Sequence, residues 1–199
     1  MPRKLTAVRA KPGMPNRLQP LLNFAHESAA RALQTGDRNR LVAATRQLHA
    51  LADREVSALH GRPEGRPACR KGCDSCCHRV VTASVPEVFA ASDFVRGKFN
   101  EAQLEAFRER CRALEEANEG FWSLRAMNGT GACPFLEEGA CSIYEARPLS
   151  CRALNASDPE SCRKFYLEGK GAPSVACQDQ ASLGDLNLPV VNAMRNAGL

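Results

Sequence analysis

Cysteine is concentrated in two groups in this chain, and its spacing constrains the fold more than any other feature. Four cysteines fall within nine residues, and four more follow at intervals of 8, 10 and 11: Cys69, Cys73, Cys76 and Cys77, then Cys133, Cys141, Cys151 and Cys162. Thiolates are the ligands that zinc and iron–sulfur clusters prefer in proteins. In a chain with no export signal, so dense a set predicts a bound metal rather than a disulfide framework.

The beginning of the chain bears on the cellular compartment. Residues 1–20 contain five Lys and Arg, but no run of seven or more apolar residues follows them. The sequence therefore predicts a cytoplasmic protein with neither a secretory signal nor a membrane span. Because cytosolic thiols are kept reduced, closely spaced cysteines there are typically metal ligands or redox-active groups.

The first third of the chain has the apolar pattern of two antiparallel helices. Apolar residues recur at helical spacing from residue 18 to Gly36, which is suited to a left-handed helix C-cap. Asp37 can cap a second helix, whose apolar stripe stops at Gly61. A helical hairpin is therefore predicted.

The rest of the chain combines helix signals with irregular segments. Capping patterns predict helices that begin after Ser84, Asn100 and Asp158, whereas Gly, Pro and short polar residues over 128–152 predict loops. We expect a mostly α fold: a helical hairpin plus a loop-rich, metal-stapled α-helical cysteine-cluster domain with little or no β structure. The predicted divisions are a flexible basic arm over 1–17, the hairpin over 18–61, the cysteine-cluster metal-binding domain over 66–168, and a C-terminal tail over 169–199 with a short helix over 187–196.

The adjacent cysteines limit what the first group can bind. Cys73 and Cys76 form a C-x2-C pair of the kind that chelates a metal ion. Cys76 and Cys77 are neighbours, and neighbouring side chains project in different directions, so both reach one site only if the chain turns sharply. Otherwise they reach different metals or one polynuclear cluster. The pair therefore indicates more than one metal ion.

An ordered set of motifs resembles a known family. The motifs are the C-x3-C-x2-C-C run, Cys133-Pro134-Phe135-Leu136, Gly139-Ala140-Cys141-Ser142-Ile143-Tyr144, Arg147-Pro148 and Cys151-Arg152. Over about residues 66–168 they resemble the bacterial YkgJ-type cysteine-cluster family, which includes the flagellin lysine methylase group and is described as chelating zinc or iron through eight cysteines. The resemblance implies metal ligands at Cys69, Cys73, Cys76, Cys77, Cys133, Cys141 and Cys151. For the eighth ligand Cys162 is preferred to Cys177.

Several other side chains near the cysteines have a plainer interpretation. Cys111 and Cys177 are predicted not to bind metal, because an isolated cysteine more often behaves as a small apolar or loop residue. His78 could replace a thiolate, but eight cysteines suffice without it. Arg147 and Arg152 are expected to compensate charge. The remaining histidines, His26, His49 and His60, are predicted to be ordinary surface or packed residues.

The sequence leaves the metal open, since zinc and iron both accept four thiolates. The family resemblance and the compact first group favour an iron–sulfur cluster, such as [4Fe–4S], over Zn²⁺. We hypothesise that such a cluster serves electron transfer, sensing or assistance to a protein-modification reaction. The C-x3-C-x2-C spacing also occurs in radical S-adenosylmethionine enzymes, but no alternation of strands and helices follows Cys69. No set of Ser, His and carboxylate stands out, so the sequence does not decide whether the protein is an enzyme.

A structural zinc-binding module, acting as a protein or RNA interaction domain, is the alternative. Residues 1–68 contain 12 Lys and Arg against 5 Asp and Glu, so the net charge of +5 originates there. Such a surplus can attract an acidic partner. The basic residues are not interleaved with aromatics, however, and no nucleic-acid motif is present, so nucleic-acid binding is not favoured, and a protein partner is left open.

Overall fold

The structure is a computed structural model that describes residues 19–61, 66–117 and 131–174. These residues form six α-helices, two short 3₁₀ helices and one two-stranded sheet. The α-helices are α1 (Gln19–Thr35), α2 (Arg38–His60), α3 (Val85–Lys98), α4 (Glu101–Ala117), α5 (Leu149–Arg152) and α6 (Pro159–Glu168). The strands are β1 (Leu136–Glu137) and β2 (Ala140–Cys141), and the 3₁₀ helices are Ser75–His78 and Tyr144–Ala146. The predicted mostly α fold with very little β structure is confirmed.

Several predictions fall on other parts of the chain. The basic arm, residues 62–65 between the hairpin and the cysteine-cluster domain, Cys177 and the 187–196 helix lie outside the described residues. Within the described ranges, no helix combines the length and the apolar character needed to cross a bilayer.

Local caps separate the first two helices. Gly36 has φ +63°, the left-handed conformation that commonly ends a helix. The Asp37 carboxylate then accepts hydrogen bonds from the amides of Asn39 (2.9 Å) and Arg40 (3.2 Å), which are unpaired donors of the first turn of α2. The chain therefore reverses within two residues, and the predicted hairpin forms.

The hairpin has a core of its own, to which α5 adds one side chain. Small and branched apolar residues from α1 and α2 interlock, and Leu149 of α5, 1% exposed, packs against them. Burying this surface supplies the main driving force for docking the two helices. The core comprises Leu22, Ala25, Ala29, Ala30, Ala32, Leu41, Leu48, Ala52, Val56 and Leu149.

A buried carboxylate ties the hairpin to the second half of the chain. Glu87 of α3 is 1% exposed and accepts hydrogen bonds from the amide and hydroxyl of Ser84 at 2.8 and 2.9 Å. Its second oxygen accepts from the Leu149 amide at 2.7 Å and lies 3.5 Å from Nε2 of His49 on α2. A buried charge is stable only when it is paired in this way. Glu87 therefore fixes α2, α3 and α5 relative to one another.

A buried arginine positions α5, and local caps fix the two ends of α6. Arg152 of α5 is 2% exposed, pairs with Asp53 of α2 and donates through Nε to the Arg147 carbonyl at 2.9 Å. The start of α6 is capped by Asp158, whose carboxylate accepts from two amides of the first turn, and its end is capped by Gly169 with φ +67°. The predicted start of this helix is confirmed.

Candidate metal centre

The first four cysteines lie on one tight loop that runs into the Ser75–His78 3₁₀ helix. The Cys73 amide donates to the Arg70 carbonyl at 3.1 Å, which closes a turn. Between them, Gly72 has φ +89°, a conformation that is strained for other residues. Each of the four cysteines is half-buried. A loop of this kind can present several thiols from a short stretch of backbone.

A β-hairpin carries the next two cysteines to this loop. The Cys133 amide donates to the Cys77 carbonyl at 2.7 Å, a direct link between segments 56 residues apart. In the hairpin, Cys141 of β2 pairs with Leu136 of β1. Glu138 and Gly139 both have positive φ, as a two-residue turn of type I′ requires. The two cysteine groups are therefore brought together, as the metal interpretation requires.

Two helices supply the remaining cysteines. Cys151 lies in α5, which Glu87 and Arg152 fix against the helical hairpin of α1 and α2. Cys162 lies in α6, which packs on the Ser75–His78 helix, and its side chain is 6% exposed.

Seven of the eight predicted ligands line one cavity of about 490 Å³. Its walls are largely apolar, with contributions from Val95, Phe107 and Ile143, so that water is partly excluded from the thiols. Cys162 is not among the lining residues but packs with two of them, Cys69 and Cys76. The cysteines on the cavity wall are Cys69, Cys73, Cys76, Cys77, Cys133, Cys141 and Cys151.

The side chains are not yet closed around a metal-sized point. Among the described residues, no three His, Cys, Asp or Glu side chains are grouped closely enough to hold a metal ion as they stand. The nine described cysteines are also free of disulfides. Their thiols are therefore available as metal ligands, which bind as thiolates after losing a proton.

Burial and mutual repulsion dominate the acidity of these thiols. Burial, followed by the thiolate charges of Cys76 and Cys133, raises the pKa of Cys151 to about 12. A hydrogen bond from Cys77 lowers the pKa of Cys76 to about 7 and raises that of Cys77 itself. The charges of Arg79 and Arg147 also lower the pKa of Cys76, whereas burial outweighs the charge of Arg79 at Cys151. A bound cation would reverse this balance by stabilising thiolates.

Arg147 provides the test of whether the cavity fits a thiolate-bound metal. Its side chain lines the cavity, and its charge acts to lower the pKa of Cys69, Cys76 and Cys141. The guanidinium carbon lies 4.0 Å from the centre of the Tyr144 ring, whereas the buried Nε has no hydrogen-bond partner among the described residues. A buried unpaired donor is costly, and a negatively charged sulfur would satisfy it. The chemistry of the lining therefore fits the group.

Two side chains that the sequence predicts not to be metal ligands lie outside the cavity wall. Cys111 is half-buried on α4 and does not line the cavity, and neither does His78. His60 is different: it lies on the cavity wall, with Nε2 3.4 Å from the Cys69 carbonyl oxygen and Nδ1 3.0 Å from that of Val56. Sequence reasoning missed this position, and its place at the end of α2, nine residues before Cys69, was the only available signal.

A family model described as "CxxCxxCC: Putative zinc- or iron-chelating domain" matches residues 68–178, more than half of the chain. The match spans all eight predicted ligands. Among curated proteins the chain has no match. It has none among solved structures either.

Proposed function

The chain belongs to this CxxCxxCC family of zinc- or iron-chelating domains, and we propose that its eight clustered cysteines bind an iron–sulfur cluster that transfers electrons. The proposed ligands are Cys69, Cys73, Cys76, Cys77, Cys133, Cys141, Cys151 and Cys162. When bound, such a cluster supplies a one-electron redox couple whose potential depends on burial and on hydrogen bonds to sulfur.

The observation that carries the proposal is the number of thiols that line one cavity. A structural zinc ion is held by four thiolates at about 2.3 Å. Here seven thiols line one cavity of about 490 Å³. A cluster with inorganic sulfide occupies more space than a single ion, which suits this arrangement.

The protein's own residues would hold the cluster and tune it. The hydrogen bond from Cys133 to Cys77 keeps the two cysteine groups together. Arg147 offers a positive charge and a free donor to the sulfur atoms, and the apolar wall limits access of water. These are the features by which a protein sets the reduction potential of a cluster.

The alternative, docking of RNA or protein on the basic helices, gains no support from the hairpin surface. Arg31 pairs with Glu27, and Arg40 pairs with Asp37. Arg38 and Arg46 both approach Asp93 of α3, at 2.6 and 3.9 Å. These described cations are thus matched with carboxylates, which weakens their attraction for an acidic partner.

The proposal is tested by purifying the full chain without oxygen and measuring iron, sulfide and zinc together with the absorption spectrum. We expect iron and sulfide in comparable amounts and a broad visible band that bleaches on reduction and returns on reoxidation. Cys73→Ser should weaken the band, whereas Cys111→Ser, altered at a half-buried thiol away from the cavity, should keep it unchanged. Stoichiometric zinc in a colourless protein would overturn the redox proposal and leave a structural zinc module.

A further inference from the structure

We infer that the eight thiols form two metal centres, divided at the bond between Cys76 and Cys77. The first centre is built from Cys69, Cys73, Cys76 and Cys162, and the second from Cys77, Cys133, Cys141 and Cys151. This inference rests on the proposed metal-binding role of these cysteines. It adds the number of centres and the ligands of each.

Packing defines the first group. Because α6 lies on the Ser75–His78 helix, Cys162 joins Cys69 and Cys76 in one packed cluster, together with Ala156 and Tyr166. The Ala156 amide donates to Sγ of Cys69 at 3.2 Å, and the Ala156 carbonyl accepts from the Ala68 amide at 2.7 Å. An amide donating to sulfur is typical of a thiolate ligand. The segment before α6 therefore belongs to this side of the loop.

The turn after Cys69 brings in the fourth member of the first group. Cys73 follows Cys69 by four residues, and its amide closes the turn on the Arg70 carbonyl. Cys69, Cys73 and Cys76 also lie on the same cavity wall. The turn therefore places Cys73 with the first group.

A backbone hydrogen bond and the β-hairpin define the second group. The Cys133 amide donates to the Cys77 carbonyl, Cys133 precedes β1, and Cys141 ends β2. All four members of the second group line the cavity, and so do Cys69, Cys73 and Cys76 of the first. The two centres therefore share one cavity, and Cys162 reaches the first of them from α6.

The local helix type explains why adjacent residues can serve different centres. In a 3₁₀ helix, consecutive side chains are rotated by roughly 120° about the axis. Cys76 and Cys77 both lie in such a helix. The two thiols share a hydrogen bond in the structure, but this geometry lets Cys76 turn towards α6 and Cys77 towards the β-hairpin when metal binds. The two centres are then neighbours joined through one peptide bond.

Paired variants of the full chain test the division. Cys162→Ser should remove one of two centres and leave the second intact, and Cys151→Ser should do the reverse, as measured by metal content and by the spectrum of the remaining centre. Cys111→Ser is the matched control and should retain both. If Cys162→Ser and Cys151→Ser each remove all the metal, or both remove the same centre, the division is wrong although the metal-binding proposal stands. A native protein without metal would overturn both.

A measurement on the unaltered chain guards against variants that fail to fold. The metal-free protein is titrated with cadmium alone and followed by cadmium NMR. We expect saturation at two cadmium ions per chain with two signals of four-sulfur coordination, one absent in Cys162→Ser and the other in Cys151→Ser. Saturation at a single ion, or one signal, would contradict two centres.

Discussion

At the residue scale, the charge balance of the thiols depends on Arg147. Its guanidinium is close enough to act on thiolates of both proposed centres, Cys69 and Cys76 on one side and Cys141 on the other. Protons compete with a metal for thiolates, so a cation that lowers thiol pKa values favours the metal. Arg147 is therefore a positioning and charge-balancing residue rather than a ligand.

Replacing Arg147 with Gln should weaken metal binding by about 10-fold, the lower end of the effect of residues that support metal ligands. The sign of the pH effect follows from the charge: without the cation the thiol pKa values rise, so metal release on acidification should occur at higher pH. The measurement is metal release followed by a chromophoric chelator across a pH series. Arg163→Gln, at an exposed cation paired with Glu160 on α6, is the control and should leave the profile unchanged. An unshifted profile for Arg147→Gln would refute this role.

Glu87 is a second residue whose charge affects the fold, because its hydrogen bonds join three helices. Burial raises its pKa, but the hydrogen bonds from His49, Leu149 and Ser84 together outweigh burial and hold the pKa below its usual value. A carboxyl group with a lowered folded-state pKa stabilises the fold above the unfolded-state pKa of about 4.3 and loses this effect as the pH falls through the folded value.

Glu87→Gln should therefore lower the free energy of unfolding by about 2 kcal/mol at neutral pH, since it replaces charge-assisted hydrogen bonds in a buried site. Urea unfolding at several pH values measures it, and the difference from the unaltered protein should shrink below about pH 4. Glu109→Gln, at an exposed position of α4, should change stability little. A difference that is constant with pH would show that Glu87 acts by packing alone.

At the scale of elements, short helices and tight turns place the cysteines, and each depends on local caps. The N-cap of α6 is the clearest case, because Asp158 satisfies the amides of Glu160 and Ser161 at 3.0 and 3.1 Å. This helix of ten residues is too short to be stable by itself, so it depends on its cap and on packing against the Ser75–His78 helix.

Asp158→Ala should cost about 1 kcal/mol of stability, and Asp158→Asn should recover most of the loss because Asn caps about as well. Thermal unfolding of the metal-loaded protein provides the measurement. Equal losses in both variants would indicate that the charge of Asp158, not its cap geometry, is what stabilises α6.

At the scale of the whole molecule, the helical hairpin and the cysteine region depend on different forces. The hairpin has an apolar core, whereas the cysteine loop and β-hairpin contribute few buried apolar residues. A region with few buried apolar contacts is the first to open when a stabilising ligand leaves.

Removing the metal should therefore increase amide hydrogen exchange over 66–83 and 131–162 far more than over α1 and α2. Hydrogen exchange with mass spectrometry, before and after chelation, makes the comparison, and reloading the metal should restore protection. Uniform loss of protection across the described residues would mean that the hairpin cannot remain folded without the metal.

The starts and stops of the helices could be predicted from the sequence because they are set within a few residues. The reciprocal hydrogen bonds between Asn100 and Gln103, both 2.9 Å, begin α4, and the left-handed Gly36 and Gly169 end α1 and α6. All four residues lie next to the helix ends that they cap. Backbone donors and acceptors at a helix end must find partners nearby, so short patterns determine these positions.

The cysteine pattern by itself determined the candidate ligands and the prospect of more than one metal, since thiolate chemistry and the directions of adjacent side chains are local properties. Only the tertiary structure decided which thiols are neighbours. The bonds from Cys133 to Cys77 and from Ala156 to Cys69 join residues 56 and 87 positions apart. Such pairings, like the place of His60 and Glu87, depend on how distant segments bury one another, and no short stretch of sequence contains that information.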